Sequence, residues 1–583
     1  MMVKWYIMAS LKIGKSGGRE YLSIVSGYWD PINKRSRTKT IESLGYLDSL
    51  KEQYDDPIAH FQKVVDELNK NLVKEELFVK LNKSSQLSDE SNNLKNLGYF
   101  ALSAIYHELG LDLLFRNRAR SFKVDYSIND IMKLLVFSRI LDPNSKKHTY
   151  ENKDRYFETT DFTLENVYRC LSHVASLKEV VEEHLYKKSK KLYDRKSEVV
   201  YYDVTNYYFE IDDEDKLRKK GVSKEHRNSP IVQMGLFMDS QGIPISYRLF
   251  EGNTHDSKTL IPMASSIYKD LGIKRTIVVA DKGLNTADNI AYNIVSKNGY
   301  VYSQTVRGAD KELKNYVLND KNYKTIDDGF KIKSRIVPKE IAVTNKDNKR
   351  TKVTIEQKQV AIYSLKYALK AKKDRQLIVD KAQQLVDNPS QYNKATSYGA
   401  AKYVKNLVYD KDTGEILTSK QKPIFDTEKL NEDEKYDGYY LIVTNELDKS
   451  DEEILKIYKG LWQIEESFRI TKSDLKARPV YLSRQERINA HFLTCFIALY
   501  IIRILQQRLN NKHSVAKIAE SLNLTTYTFL EHNIYVGNYC DDITKDLKEI
   551  MGIDLTYKYM TLGEIKNIAA QTKKGSIRKD LDH

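Results

Sequence analysis

The sequence predicts a multidomain α/β protein: a mixed sheet with flanking crossover helices, interrupted by a β-rich insertion and preceded by a β-hairpin and a helical region. Three observations carry this. The chain has 583 residues, 41% of them hydrophobic, which is too much chain for one ordinary core and enough for about three to five. The hydrophobic period changes from helical to alternating near residue 198. From there the segments read strand, hairpin, helix, strand, helix, strand, the order that builds a layered α/β core.

Residues 1–94 come first. "REYLSIVSGYWD" and "RTKTIESLGYL" alternate around the turn-forming "DPINKRSR", which predicts a basic β-hairpin, and the charged helix "DPIAHFQKVVDELNKNLVKEEL" follows. Residues 95–195 are helical in pattern: "NLGYFALSAIYHELGLDLLF", "SINDIMKLLVFSRILDP" and "TLENVYRCLSHVASLKEVVEEHLYKKSKKLY", with Ser127 and Thr163 placed as N-caps. In residues 196–310, "EVVYYDVTNYYFE" is a β-branched and aromatic strand. "VQMGLFMDSQGIPISYRLFEGN" is a hairpin turning at Ser240–Gly242. "DSKTLIPMASSIYKDLG" is a helix capped by Asp256 or Ser257, "KRTIVVADKG" a strand ending in Asp281, "TADNIAYNIVSKNG" a helix and "YVYSQTV" a strand. Residues 311–435 break the rhythm with strands such as "FKIKSRIVPKEIAVT", "RTKVTIEQKQVAIYSL" and "KNLVYDKDTGEIL" around a lysine-rich helix, an inserted subdomain. The core resumes over 436–510 with the strand "DGYYLIVTN" and the long helix "SDEEILKIYKGLWQIEESFRITKSDL". Residues 511–583 read as a helical region.

Net charge is +15 and the isoelectric point about 9.1, which points to a polyanionic partner, nucleic acid being the commonest; a lysine-rich proteome is the ordinary alternative. On that reading residues 95–195 suit a DNA-binding domain and a structural bundle alike. Cys170, Cys495 and Cys540 are far apart, so neither a disulfide framework nor a cysteine-based zinc site is expected. The first residues lack the apolar core of a signal peptide. The longest apolar run, "FLTCFIALYIIRIL" at 492–505, is too short for a bilayer and contains Arg503, so a buried core helix and a cytoplasmic protein are expected.

Three acids stand apart. Asp203 lies inside an apolar strand, Asp281 ends the strand "IVVAD", and Glu465 has the apolar neighbours Leu461, Ile464 and Phe468. Taken singly, each has a plain alternative as a solvent-facing, turn or surface charge. An acid inside a strand is costly unless it has a partner or a metal. Mg²⁺ is commonly held by one or two carboxylates with substrate phosphates, and a pair of such ions serves phosphodiester chemistry. Helical spacing places Tyr458, Leu461, Glu465, Arg469 and Lys472 on one stripe, with Lys476 a turn further, and turns Glu466 about 100° away as a solvent-facing or supporting neighbour.

At these residues the chain resembles bacterial insertion-sequence transposases of the DDE type, in the cut-and-paste branch with the signature Y-x2-R-x3-E-x6-K. Tyr458, Glu465 and Lys472 fall in register, and Leu461 stands where the signature has Arg. "YYDVTNYYFE" and "VVADKGLN" resemble the strands of the first and second Asp, and the similarity spans most of residues 95–510. The resemblance implies an RNase H-like catalytic core with a β-rich insertion, in which Asp203, Asp281 and Glu465 are catalytic and hold two Mg²⁺ ions, with Mn²⁺ as a substitute. It implies binding of double-stranded DNA at terminal inverted repeats, whose recognition falls to the N-terminal helical region; by helical spacing Tyr458, Arg469, Lys472 and Lys476, with Trp462 beside them, form the DNA-facing stripe. It further implies cleavage at the ends, joining of the 3′-hydroxyls to target DNA, and a homodimer in the synaptic complex of a nucleoid-associated protein. Trp462 packs in the core or beside the DNA end. Some relatives stack a flipped base on a Trp in the insertion. Residues 311–435 have none, so Tyr316, Tyr323 or Tyr363 takes that part. The alternatives are a transposase-derived DNA-binding protein that no longer cuts, or another RNase H-like nuclease.

Overall fold

The computed structural model describes residues 9–16, 18–30, 35–71, 84, 86, 93–224, 228–273, 275–344, 349–388, 399–405 and 423–574. The chain forms two compact units, Met1–Gln86 and Leu87–His583.

In the first unit, strands β1 (Ala9–Ser16), β2 (Arg19–Asp30) and β3 (Arg35–Tyr46) make an antiparallel sheet in that order. The expected hairpin is β2–β3; its turn, residues 31–34, lies outside the described residues. β1 is a third strand. Asn69, on the helix Pro57–Asn71, fastens the helix to β1. It accepts from the Ala9 amide at 2.8 Å and donates to the Ala9 carbonyl at 2.9 Å.

The second unit is built on a nine-stranded sheet. Its strands are β5 (Val199–Tyr208), β6 (Ile231–Asp239), β7 (Pro244–Glu251), β8 (Ile277–Ala280), β9 (Gly299–Gln304), β10 (Lys324–Asp327), β11 (Phe330–Thr344), β12 (Arg350–Ser364) and β15 (Tyr439–Thr444). They run in the order β10-β11-β12-β15-β9-β8-β5-β6-β7. The pairs β5–β8 and β8–β9 are parallel and joined through helices, as parallel pairing requires. The β6–β7 hairpin turns where expected, with Gly242 at φ +78°. Side chains alternate between two cores. Tyr201, Tyr207, Val279 and Val301 pack with the long helix Gln485–Arg508, whereas Val200, Tyr202, Val204, Val278 and Ala280 pack with the helix Leu260–Leu271.

Several expectations are corrected. β10, β11 and β12 do not form a sheet of their own; β12 pairs with β15 and extends the central sheet. Among the described residues of 311–435 the short pair β13 (Val404–Lys405) and β14 (Ile424–Phe425) stands apart, and the expected strand at 406–417 lies outside the described residues. The helices of 95–195 belong to the same compact unit as the sheet, their apolar faces on Gln485–Arg508. Ser127 and Thr163 cap as expected, each accepting from the amide three residues on. Neither Asp256 nor Ser257 caps the next helix: a 3₁₀ turn, Asp256–Lys258, precedes its start at Leu260. The C-terminal region is not purely helical. β16 (Thr526–Phe529), β17 (Ile534–Gly537) and β18 (Tyr559–Thr561) recruit β4 (Leu94–Asn96) into a sheet ordered β18-β17-β16-β4. Gln485–Arg508 has 24 residues, long and apolar enough to cross a membrane, but it is buried among the other elements as the core helix expected.

Candidate active site

Asp203 and Asp281 meet through strand register. β5 and β8 pair in parallel with Val199 opposite Ile277 and Tyr201 opposite Val279. Two residues further on, Asp203 and Asp281 stand level on the same face of neighbouring strands, about 5 Å apart in backbone spacing. That face looks toward the segment 451–474. The Tyr201 hydroxyl donates to the Ile457 carbonyl at 3.1 Å, and the Tyr207 hydroxyl bonds the Thr471 hydroxyl at 2.7 Å. Asp203 lies between those two tyrosines on β5, and Glu465 lies between their two partners on the crossing segment. The sheet and the helix are thus riveted on both sides of the acids. The crossing is close: a Cβ on Gly460 would run into the Tyr201 hydroxyl.

The surroundings couple Asp203 to Asp281 and place Tyr458 near Asp281 and Glu465. Burial pushes the Asp203 carboxyl up to about 6; Lys224 and the Val204 amide oppose this, and the carboxylates of Asp281 and Asp256 add to it. Ser303 on β9 donates to Asp281 Oδ1 at 2.7 Å and stands beside Tyr458. Burial pushes Tyr458 up to about 12, and both Asp281 and Glu465 act on it in the same direction. Tyr458 therefore stands within electrostatic reach of the second and third acids. Lys472 sits 5.7 Å over the Tyr207 ring; burial first and then Lys224 lower it to about 8, while Asp203 holds it up. Asp281 and Glu465 are exposed and Asp203 is half-buried, so the group opens to solvent.

The expected stripe divides. The long helix is two helices, Asp451–Lys459 and Trp462–Arg469, followed by the π-turn Ile470–Asp474. Between the helices the amides of Gly460, Leu461, Gln463 and Ile464 each bond the carbonyl three residues back. This 3₁₀ link winds tighter than an α-helix and changes the faces. Leu461 is buried at 7% exposure and Tyr458 is half-buried, while Trp462, Glu465 and Arg469 face outward. Trp462 is 57% exposed, not in the core, and walls a groove of about 720 Å³ with Lys456 and Lys459. Arg469 bonds Asp474 at 3.3 Å. Lys476 is exposed in a left-handed conformation, φ +41°. Its carbonyl and that of Leu475 accept from the buried Arg139 guanidinium at 3.3 and 3.4 Å, and the Ala477 carbonyl meets His491 Nε2 at 3.1 Å. Glu466 is half-buried and takes the supporting part. It accepts from Arg503 at 2.7 Å, and Arg503 is buried. The tyrosines of the insertion are half-buried under cations: Arg335 lies 4.2 Å from the Tyr316 ring, Lys333 4.3 Å from Tyr323 and Lys331 5.1 Å from Tyr363.

Sequence reasoning missed Ser303, Lys224 and Asp256. Ser303 carried a signal, since it lies two residues beyond Val301 on a strand beside β8. Lys224, whose ammonium donates to the Val204 carbonyl, comes from a loop with no periodicity to read. Among the described residues no three Asp, Glu, His or Cys side chains close on a single metal ion. The donor set still suits a hard cation pairwise, because Mg²⁺ is usually held by one or two carboxylates and completed by substrate phosphates. The crowding of carboxylates on Asp203 is a charge that such an ion would neutralise.

Residues 196–501 match the family described as Transposase DDE domain, just over half of the chain and all three acids. The chain belongs to the DDE transposases, a family of nucleic-acid-cleaving enzymes. Residues 11–76 match the IS1634 family transposase, N-terminal domain, which makes it an insertion-sequence transposase. No curated protein matches the chain.

Proposed function

We propose that this transposase binds the terminal inverted repeats of its element as double-stranded DNA, hydrolyses the end phosphodiesters and joins the 3′-hydroxyls to target DNA. The observation that supports this most is the register that sets Asp203 level with Asp281 on neighbouring strands, beneath the segment that carries Glu465, inside the matched domain. Asp203, Asp281 and Glu465 would hold two Mg²⁺ ions, with Mn²⁺ as a substitute. Such ions would supply activation of a water or hydroxyl nucleophile and stabilisation of the leaving oxygen. The protein's own groups do the rest. Ser303, beside Tyr458, aims Asp281. Lys472 and Lys224 keep positive charge beside Asp203, where a phosphate would enter. Trp462, Arg469 and Lys476 present an aromatic ring and cations beside Glu465 for the DNA end. A homodimer with one end per protomer completes the reading.

The test is cleavage and joining with a duplex carrying the element's end. Asp203→Asn, Asp281→Asn and Glu465→Gln should each abolish Mg²⁺-dependent nicking while leaving DNA affinity in place. The wild type should also transfer the cut end into a target plasmid. Cleavage by Glu465→Gln at the wild-type rate would sink the assignment. Cleavage without transfer would make the protein a nuclease, and binding without cleavage would make it a DNA-binding derivative.

A further inference from the structure

The helix Leu365–Asp387 begins at the rim of the candidate site. Its first ring, Tyr367, packs on Tyr440 of β15 with centroids 5.4 Å apart, and both stand beside Tyr458. Among the described residues the helix is anchored along one side. Ser364 caps it, accepting from the Tyr367 amide, and the buried Arg375 donates to Asp437 Oδ1 at 2.6 Å and to Glu434 at 3.3 Å. The opposite side carries Lys366, Lys370 and Lys373 at spacings of four and three residues, hence on one stripe about 10 Å long. All three are exposed, and none is in an ion pair among the described residues. The first acid on the helix is Asp374, past the last of them, and Lys372 adds a fourth cation. Tyr367 and Leu369 lie among these lysines at 60% and 61% exposure. Like charges at this spacing repel one another in the free protein. A stripe that keeps three of them beside an exposed ring, next to a site for phosphodiester chemistry, is suited to a polyanion.

We infer that the first two turns of Leu365–Asp387 are a contact surface for duplex DNA flanking the scissile position, with Lys366, Lys370 and Lys373 on backbone phosphates and Tyr367 against the sugars or bases. This rests on the proposed action of Asp203, Asp281 and Glu465 on DNA. It gives the insertion a role in holding DNA without a tryptophan.

The experiment is a salt titration of full-length protein on a duplex of arbitrary sequence, comparing the wild type with Lys366→Gln/Lys370→Gln/Lys373→Gln. Glutamine keeps helix propensity, and the circular dichroism spectrum should be unchanged. Removing one lysine from a phosphate lowers the slope of log affinity against log salt by about one, so the slope of the triple variant should fall by about two to three units. A control removes three lysines paired with acids on their own helices, Lys147→Gln/Lys429→Gln/Lys545→Gln, and should keep the wild-type slope. An unchanged slope in the first variant, or an equal fall in the control, would overturn the surface while leaving the active-site reading intact. A wild type without affinity for duplex DNA would overturn both.

Discussion

The adjacent glutamates Glu465 and Glu466 should separate stability from chemistry. Glu466 accepts from Arg503 at 2.7 Å, with side-chain exposures of 21% and 7%. Removing one partner of a fully buried pair costs about 3–5 kcal/mol, because the other charge is left without compensation. Here Glu466 is partly solvated, and Arg503 keeps the Gly242 carbonyl at 3.1 Å and the Gln506 side chain at 2.9 Å. Roughly half of the full cost, about 2 kcal/mol, is therefore expected for Glu466→Gln. Glu465 is exposed and in no ion pair among the described residues, so Glu465→Gln should change stability by less than about 0.5 kcal/mol. Urea unfolding gives the first quantity, and Mg²⁺-dependent nicking of end-containing DNA, per folded molecule, gives the second. Glu466→Gln should be less stable and still cut; Glu465→Gln should be as stable as wild type and inactive. Equal destabilisation by both, or loss of cutting in a folded Glu466→Gln protein alone, would refute the division of roles.

Three further outcomes follow from the same structure. Lys146 is buried with no hydrogen-bond partner for its ammonium among the described residues, and burial first, with help from Arg139, lowers it to about 7. The unfolded chain holds this proton up to about pH 10.5 and the folded chain releases it near 7, so the penalty is full below pH 7 and fades as pH rises. Lys146→Met should stabilise by about 4 kcal/mol at pH 7 and by under about 1 kcal/mol at pH 10; a gain independent of pH in urea unfolding would contradict this. Gly460→Ala should destabilise by about 1–3 kcal/mol through its clash with the Tyr201 hydroxyl. Adding Tyr201→Phe should recover part of that, whereas strictly additive losses would disprove the contact. Arg139→Met frees the carbonyls of Leu475 and Lys476 and should slow cleavage about tenfold or more with DNA affinity kept; an unchanged rate would show that the loop holds itself.

Of the candidate site, the burial cost read from the sequence falls on Asp203, whereas Asp281 and Glu465 are exposed. Asp203 and Asp281 stood out as acids in apolar strands, and the spacing to Tyr458 and Lys472 singled out Glu465 from Glu466. What stayed hidden depends on distant partners or on small changes of helix winding. Glu466 finds Arg503 at 37 residues' distance, which no local pattern encodes. Leu461 was placed on the wrong face because a glycine inside a helical pattern does not announce a 3₁₀ link. The insertion's strands were recognised as strands, but their alternation says nothing of which edge they join, so their place in the central sheet was missed. The C-terminal strands are short and complete their sheet only with β4, more than four hundred residues earlier.

The central claim is that Asp203, Asp281 and Glu465 jointly hold the divalent ions of the reaction. Counting Mn²⁺ bound per protomer by electron paramagnetic resonance, on full-length protein with end-containing duplex, tests it most directly. The wild type should take two ions, and Asp203→Asn and Glu465→Gln should each lose at least one while still binding the DNA. Equal occupancy in wild type and variants would contradict the claim.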